Sequence, residues 1–291
     1  MTILDNLAAT DESVHRSHVV RFPLLRSLLR SRQATAGFLV VLFWIVAAAA
    51  APILAPYPPN DLVGPALQGP SWKFLLGTDD LGRDVLSRTL WGARPVLILA
   101  PMAVLLAEAL GASIGLVSGY IGGMFDQIVM RINDALISFP AILLYLLIIA
   151  ALGPSNMNIV LAIALGSAPG IARIVRSTVI ELRGRSFIHA AQVRGERFGY
   201  ILLVELLPNT KGPILVDAML RVAYASFAIG TLGFLGLGTP PPDPDWGGMV
   251  NQGVRWLAVS SWMTAMPAIA LASLVIGLNL VVDVIQEEDS Q

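Results

Sequence analysis

The chain has 291 residues, 55% of them hydrophobic and 13% charged, with a mean hydropathy of +0.71. That is more apolar surface than a soluble core of this size can bury and too little charge to cover it, which excludes a soluble globular protein and indicates an integral membrane protein. The formal net charge is −1 and there is no cysteine, so the distribution of charge carries the information, and disulfide or thiolate metal chemistry is excluded.

Six apolar runs of about 20 residues are each long enough to cross a roughly 30 Å hydrocarbon layer as a helix. They are expected at 35–56, 96–118, 135–153, 158–179, 211–237 and 262–285. The implied organisation is a tail at 1–33, a six-span domain at 34–285 and a short tail at 286–291. Loops at 57–95 and 238–261 lie on one side and a segment at 181–210 on the other. The first run has a long polar segment before it and is a permanent span rather than a cleaved leader. Lys and Arg set orientation. Arg16, Arg21, Arg26, Arg30, Arg32, Arg131 and the seven cations from Arg173 to Lys211 fall on one side, against Lys73, Arg83, Arg88, Arg94 and Arg255 on the other. Both termini and the 181–210 segment are therefore expected in the cytoplasm.

In the outer segment, "LGTDDLGRDVLSR" places Asp79, Asp80 and Asp84 beside Arg83 and Arg88. The stretch is nearly neutral and can fold on itself as a capped helix start. In the second span Glu108 has no partner in sequence. Gly111 with Gly115, and Gly166 with Gly170, form small-xxx-small pairs that let helices approach closely. Pro101, Pro140 and Pro169 are candidates for helix bends.

The 181–210 segment is neither short nor flexible in composition. Ser186 is expected to cap a helix running to Arg194, with Ala190 and Ala191 as a face of small residues. Gly195 permits a turn, and a second apolar helix from Phe198 to Leu206 ends at Leu-Leu-Pro-Asn. Two readings fit: an interfacial amphipathic helix that only anchors spans, or a bracket whose small tip admits another protein's groove while Arg194 and Arg197 pair with its carboxylates.

In the fifth span, Asp217 and Arg221 stand at i, i+4 and can neutralise each other. Intramembrane charges ordinarily face a bundle interior or a water-filled path, so the pair is either structural or a pathway wall. In "GTPPPDPDWGG" four prolines exclude helix. That stretch is a stiff connector, or with Trp246 part of an outer gate. No G-x-x-x-x-G-K-[ST] loop or H-E-x-x-H motif occurs. The three histidines, His15, His18 and His189, fall on the predicted cytoplasmic segments, which leaves a membrane protease without a base. A self-sufficient secondary transporter would use Asp217, Arg221 and Glu108 as a relay, yet inverted halves with broken helices are not evident in the sequence.

The pattern Ala190-Ala191-x₃-Gly195 followed by an apolar run ending Leu207-Pro208-Asn209 resembles the EAA motif of ABC importer permeases. "GTDDLGRDVLSRTLWGARPVL" (77–97), "GYIGGMFDQIVMRINDALISFP" (119–140) and "FLGLGTPPPDPDWGGMV" (234–250) resemble, in the same order, segments of the C-type permeases of dipeptide, oligopeptide and nickel importers. The resemblance implies an all-α, six-span type I ABC importer permease in a bacterial inner membrane. Its coupling helix would lie in 181–210 and use Ser186, His189, Ala190, Ala191, Arg194, Gly195 and Arg197. Outer docking or gating would fall to Asp79, Asp80, Arg83, Asp84 and Trp246, with Asp217 and Arg221 as pathway candidates. It further implies a second homologous permease, two ATPases that bind ATP and Mg, an external substrate-binding protein, and no cofactor, metal or catalytic residue in this chain. The expected cargo is di- or oligopeptide, with haem, nickel chelate or glutathione as alternatives. Two departures stand out. His189 replaces the usual Glu of the motif, and Val282-Asp283 leads into an acidic "VIQEEDSQ" where the family has Gly-Asp and then Arg, so contacts of that Arg do not carry over.

Overall fold

The structure, a computed structural model, describes residues 31–289, without the side chains of Pro213 and residues 285–291. The orienting arginines Arg16, Arg21, Arg26 and Arg30 and most of the predicted N-terminal tail lie outside the described residues. Ten helices carry the fold among them. α1 (Arg32–Leu54) starts at Ser31, whose side chain accepts from Ala34 N. α2 (Val85–Ile121) starts at Asp84, whose carboxylate accepts from both the amide and the hydroxyl of Ser87, at 2.8 and 2.7 Å. At 37 residues α2 is about 55 Å long. It begins eleven residues before the expected second span, so Arg88 and Arg94 belong to a helix rather than to an outer loop.

The expected third span is corrected most. Residues 123–152 form α3 (Gly123–Ser138) and α4 (Ala141–Leu152), which meet at 93°. The cause is local: Pro140 cannot continue α3, and Phe139 before it is pushed to an extended φ of −77° and ψ of 136°. Hydropathy averages across the break and does not register it. At 12 residues, about 18 Å, α4 is too short to cross alone. The described residues hold five helices long and apolar enough to cross a membrane, or six if the bent pair is one span. A broken helix therefore does exist, once.

α5 (Asn156–Leu182) starts at Ser155, which accepts from Asn158 N. α6 (Ser186–Val193) and α7 (Phe198–Asn209, with a wide π-helical stretch at Ile201–Leu206) follow. α8 (Lys211–Phe234), α9 (Trp246–Val254) and α10 (Ser261–Asp289) complete the chain. α10 runs on through acidic residues assigned above to a tail.

The spine is α2 against α5. A Cβ placed on Gly111 or Gly115 would lie 2.6 Å from the carbonyl oxygens of Ala168 and Ala172, and one on Gly119 would lie 3.0 Å from that of Arg176. The two helices run parallel in backbone contact, which a side chain at Gly111 or Gly115 would prevent. Gly166 and Gly170 serve different neighbours: the first receives the ring of Tyr145 from α4, the second the guanidinium of Arg221 from α8. Contacts along α5 also order the bent pair. Asn133 donates to Pro169 O at 2.7 Å, Tyr145 packs on Gly166, and Asn158 donates to Leu152 O at 3.1 Å. Taken together α3 and α4 run back along α5 from its C-terminal to its N-terminal half. The main core gathers Trp44, Tyr145, Ile149, Ile159, Ile163, Leu232 and Trp246.

Candidate functional site

The region opposite the 55–84 segment holds the bracket expected from the sequence. α6 is entered from Arg185 with no side-chain cap, and Ser186 is its first helical residue, exposed and not the cap. Ile188 and Ala191 are fully buried in a cluster with Val175, Val179, Ile201, Leu202 and Leu206. This corrects the role expected of Ala191: it is the residue by which α6 sits on the ends of α5 and α7, not part of a tip open to a partner. Ala190, with Ser186, His189 and Val193, occupies the outward face, Val193 at 89% exposure.

The turn after α6 closes as a Schellman motif. Glu196 N donates to Ala191 O at 3.1 Å and Gly195 N to Gln192 O at 3.0 Å, with Gly195 at φ +75°. No atom lies within 4 Å of where a Cβ on Gly195 would stand, so the glycine serves conformation rather than space. Arg194 reaches Glu196 at 3.4 Å and Glu205 of α7 at 3.2 Å, bracing the two arms. Exposed pairs of this kind are worth about 0–1 kcal/mol. Arg197, at the N-cap of α7, is exposed, and no ion pair to it occurs among the described residues. His189 Nδ1 lies 3.3 Å from Gln192 Oε1.

The bracket is fastened to the bundle by residues the sequence reading did not single out. Gln192 Nε2 donates to Tyr120 Oη at 3.2 Å, Arg183 Nη1 donates to Gly119 O at 3.2 Å, and the Tyr120 and Phe198 rings lie 5.5 Å apart. Arg176 grips the Asp126 carboxylate with both Nε and Nη2, and Ser118 donates to the same carboxylate. α2, α3, α5, α6 and α7 thus meet in one polar and aromatic knot. Its only signal in sequence is that Tyr120 and Asp126 lie in "GYIGGMFDQ".

At the other end, Asp79 is buried and accepts from Leu81 N and Arg83 N, both at 2.9 Å, and from Arg83 Nε at 2.6 Å, with Arg88 Nε at 3.6 Å. Asp84 is committed to capping α2, and Arg83 is also buried. These three groups are inward-facing struts of the 55–84 segment, which accords with self-contained folding and leaves their charges little reach to a partner. Asp80 is half-buried, with Oδ1 unpartnered.

Trp246, expected to serve outer docking or gating, presents no surface for docking. It is 0% exposed, its Nε1 donates to Thr89 O at 2.8 Å, and its ring meets Trp44 edge-on at 4.8 Å. Gly92 gives it room, since a Cβ there would lie 2.8 Å from the indole. The stiff connector ends by placing the Trp246 ring, at the start of α9, between Trp44 of α1 and Thr89 of α2. Asp245 before it caps α9, accepting from Gly247 N at 3.2 Å and Gly248 N at 2.9 Å. Burial against Gly233 and Gly238 pushes its carboxyl up to about 6, against the pull of those two amides.

Within the bundle, Arg221 Nε donates to Asp217 Oδ2, and Nη1 reaches Ser167 O of α5 at 3.4 Å. The pair predicted from i, i+4 spacing is formed. Glu108 of α2 sits in the same layer at 9% exposure, with both carboxylate oxygens unpartnered and within electrostatic reach of Asp217 and Arg221.

Known proteins agree with this architecture. Residues 111–287 match the family described as "Binding-protein-dependent transport system inner membrane component", and residues 24–70 match the "N-terminal TM domain of oligopeptide transport permease C". The chain is 37% identical to the dipeptide transport system permease protein DppC of Alkalihalophilus pseudofirmus, across 89% of this chain and 85% of that one. It is 34% identical to the di/tripeptide transport system permease protein DppC of Pseudomonas aeruginosa, across 97% and 95%. It is 35% identical to the glutathione transport system permease protein GsiD of Pectobacterium atrosepticum, across 93% and 91%. A solved chain of the inward-facing MetNI methionine ABC transporter shares the fold, with a TM-score of 0.55 over 70% of this chain and 95% of that one, at 19% identity. Similarity of this extent, on a bundle whose parallel α2–α5 spine ends in the bracket, makes the chain a member of the inner-membrane components of binding-protein-dependent transport systems, a permease of the ABC importer type.

Proposed function

We propose that the chain forms one half of the translocation pathway of an importer for di- and oligopeptides, and that α6–Gly195–α7 is its coupling element to a separate ATPase. The observation that carries the coupling assignment is the division of α6 into two faces. Ile188 and Ala191 key it into the ends of α2, α5 and α7, while Ser186, His189, Ala190 and Val193 face outward with none of the described residues over them. The bracket lies in the cytoplasm in this reading. A lever needs this construction: a free face for the motor and a rigid joint to the spans.

The partners are a second, homologous permease, two cytoplasmic ATPases that bind ATP and Mg, and an external substrate-binding protein. This chain supplies no ATPase site. Closure of the ATPase dimer on ATP displaces the bracket. The Tyr120–Gln192 and Arg183–Gly119 bonds carry the displacement to α2, and Val175 and Val179 carry it to α5. Because α2 and α5 are locked along their glycine contacts, they move together and the cavity between permease halves opens outward to receive cargo. Hydrolysis resets it. Asp217 and Arg221 belong to the pathway wall, where their mutual pairing offsets the cost of intramembrane charge.

Cargo follows the relatives, whose names include dipeptide, di/tripeptide and glutathione permeases. Glutathione is itself a tripeptide and is the second reading. The deciding experiment is ATP-dependent uptake into proteoliposomes of the whole complex with its binding protein, using a labelled dipeptide, with glutathione as competitor. Dipeptide uptake resistant to excess glutathione supports the first reading. Uptake of glutathione alone supports the second, and ATP-independent uptake defeats the importer mechanism.

A further inference from the structure

Between α1, α2, α8 and α10 a lateral crevice of about 560 Å³ opens on the side of the bundle, lined by Val41, Ile45, Leu97, Pro101, Val222 and Leu278. The one charged group on its wall is Arg94. Its Nε donates to Ala48 O at 2.7 Å, and its Nη2 reaches Ala49 O at 3.4 Å. Ala48 is four residues before Pro52, so its carbonyl has lost its helical partner, and Arg94 replaces the missing donor. A neutral amide would serve as well for that purpose. What remains unexplained is the charge. Among the described residues Nη1 makes no hydrogen bond and no carboxylate pairs with Arg94.

The guanidinium lies over the Trp91 ring, 4.2 Å from its centroid, and aromatic side chains of this type concentrate at the edge of the hydrocarbon layer. Ala48 is six residues from the end of α1, about 9 Å by helical rise, so Arg94 stands near the headgroup region on the side of residues 55–84. A cation this close to lipid is costly, and the two carbonyls and the Trp91 face offset its charge only in part, since none of them carries a countercharge. We propose that the crevice is a binding site for an anionic phospholipid, whose phosphate is held by Arg94 and whose acyl chain fills the apolar space beside Leu97 and Val222. Charge complementarity chooses this occupant over a hydrophobic helix of another subunit, which would offer the guanidinium no countercharge. The proposal rests on the membrane placement of α1 and α2 and on nothing about cargo or coupling.

The test uses the full chain with its co-purifying subunits, delipidated in detergent and returned to nanodiscs of phosphatidylcholine alone or of phosphatidylcholine with phosphatidylglycerol. Retained lipid is read by native mass spectrometry. One phosphatidylglycerol is expected to be retained in preference to phosphatidylcholine by about fivefold, the effect of one cation at a membrane surface. Arg94→Gln should abolish the preference, Arg94→Lys should keep most of it, and Leu97→Trp, which fills the crevice and leaves Arg94 in place, should abolish retention of either lipid. Equal retention of the two lipids by the natural chain overturns the proposal. So does an undiminished preference in Arg94→Gln, or a crosslink from a cysteine at Ile45 to another subunit in place of lipid. If Arg94→Gln fails to assemble, Leu97→Trp and Arg94→Lys decide alone.

Discussion

Gln192 of α6 donates its side-chain amide to the hydroxyl of Tyr120, the penultimate residue of α2, at 3.2 Å, across 72 positions of sequence. This bond and the burial of Ala191 one residue earlier give the two faces of α6 different jobs, and substitutions on them should separate accordingly. Ala191→Trp forces a large ring into a filled cluster, and overpacking of this kind costs about 1–3 kcal/mol. It should lower the yield and thermal midpoint of the permease itself. Ala190→Trp adds the same bulk to the open face and should leave yield and midpoint unchanged while reducing ATPase co-purification and ATP turnover stimulated by loaded binding protein. Equal loss of stability in both variants would mean that the outward face is not open. Normal coupling in Ala190→Trp would remove the docking assignment.

The same bond supplies a subtler variant. Tyr120→Phe keeps the ring against Phe198 and deletes only the hydroxyl that Gln192 uses. A partly exposed hydrogen bond is worth about 1 kcal/mol, so assembly should survive. Coupling should suffer: basal ATP turnover by the complex is expected to stay near normal while uptake per ATP falls. Unchanged stoichiometry would show that force reaches α2 by another route.

Orientation is directly accessible because the chain has no cysteine of its own. Trp72 is 99% exposed in the 55–84 segment and Val193 is 89% exposed on the bracket. In whole cells Trp72→Cys should react with a membrane-impermeant maleimide, and Val193→Cys should react only after permeabilisation. The reverse pattern would invert the protein and put the bracket out of reach of cytoplasmic ATPases.

How much of this was legible in the sequence depends on the range of the interaction. The five continuous spans follow from runs of apolar residues, and the Asp217–Arg221 pair from helical periodicity, both of which are local. The bent α3–α4 pair was hidden because Pro140 acts on backbone geometry while hydropathy is averaged over some 20 positions. Trp246 follows a proline-rich connector, a context that suits an outer gate or docking residue. Its burial depends on Gly92, 154 positions earlier, leaving space for the indole, and no local pattern announces that. The knot around Asp126 and Arg176 joins residues 50 apart and has no periodic signature. The bracket was legible as two helices and a glycine turn, whereas which alanine faced inward depended on α7 packing back over α6.

The Glu108 layer predicts a pattern of energies. Asp217→Ala leaves Arg221 with only the Ser167 carbonyl, and Arg221→Ala leaves two carboxylates, Asp217 and Glu108, in one layer. Removing one member of a buried ion pair costs about 3–5 kcal/mol, and less for a pair exposed to this extent, while removing both is often near neutral. Complex yield should fall in each single variant and recover substantially in the double. Adding Glu108→Gln to Arg221→Ala should also rescue, because it removes one of the two mutually repelling acids. Strict additivity in the Asp217–Arg221 cycle, or no rescue by Glu108→Gln, would mean that the groups do not act on each other.

Asp245 offers a test of pH dependence outside the spans. Its carboxyl is pushed up to about 6 by burial, roughly two units above an ordinary aspartate. An acid whose folded pKa is raised favours the folded state only while protonated. Its contribution is therefore full below about pH 4, declines as pH rises towards 6, and is lost above that, a span of about 3 kcal/mol. Asn at this position keeps an oxygen to accept from Gly247 and Gly248 and removes the charge. In thermal unfolding of the detergent-solubilised protein, Asp245→Asn should gain on the natural chain between pH 4 and 7 and match or exceed its midpoint at pH 7. Asp245→Ala should lose about 1 kcal/mol of capping at pH 4, where the natural group is neutral and still accepts from the two amides. Because other groups titrate in the same window, the quantity to follow is the difference between variant and natural chain. If that difference is flat from pH 4 to 7, the Asp245 carboxyl is not held above its ordinary range, and the glycines around it do not exclude water.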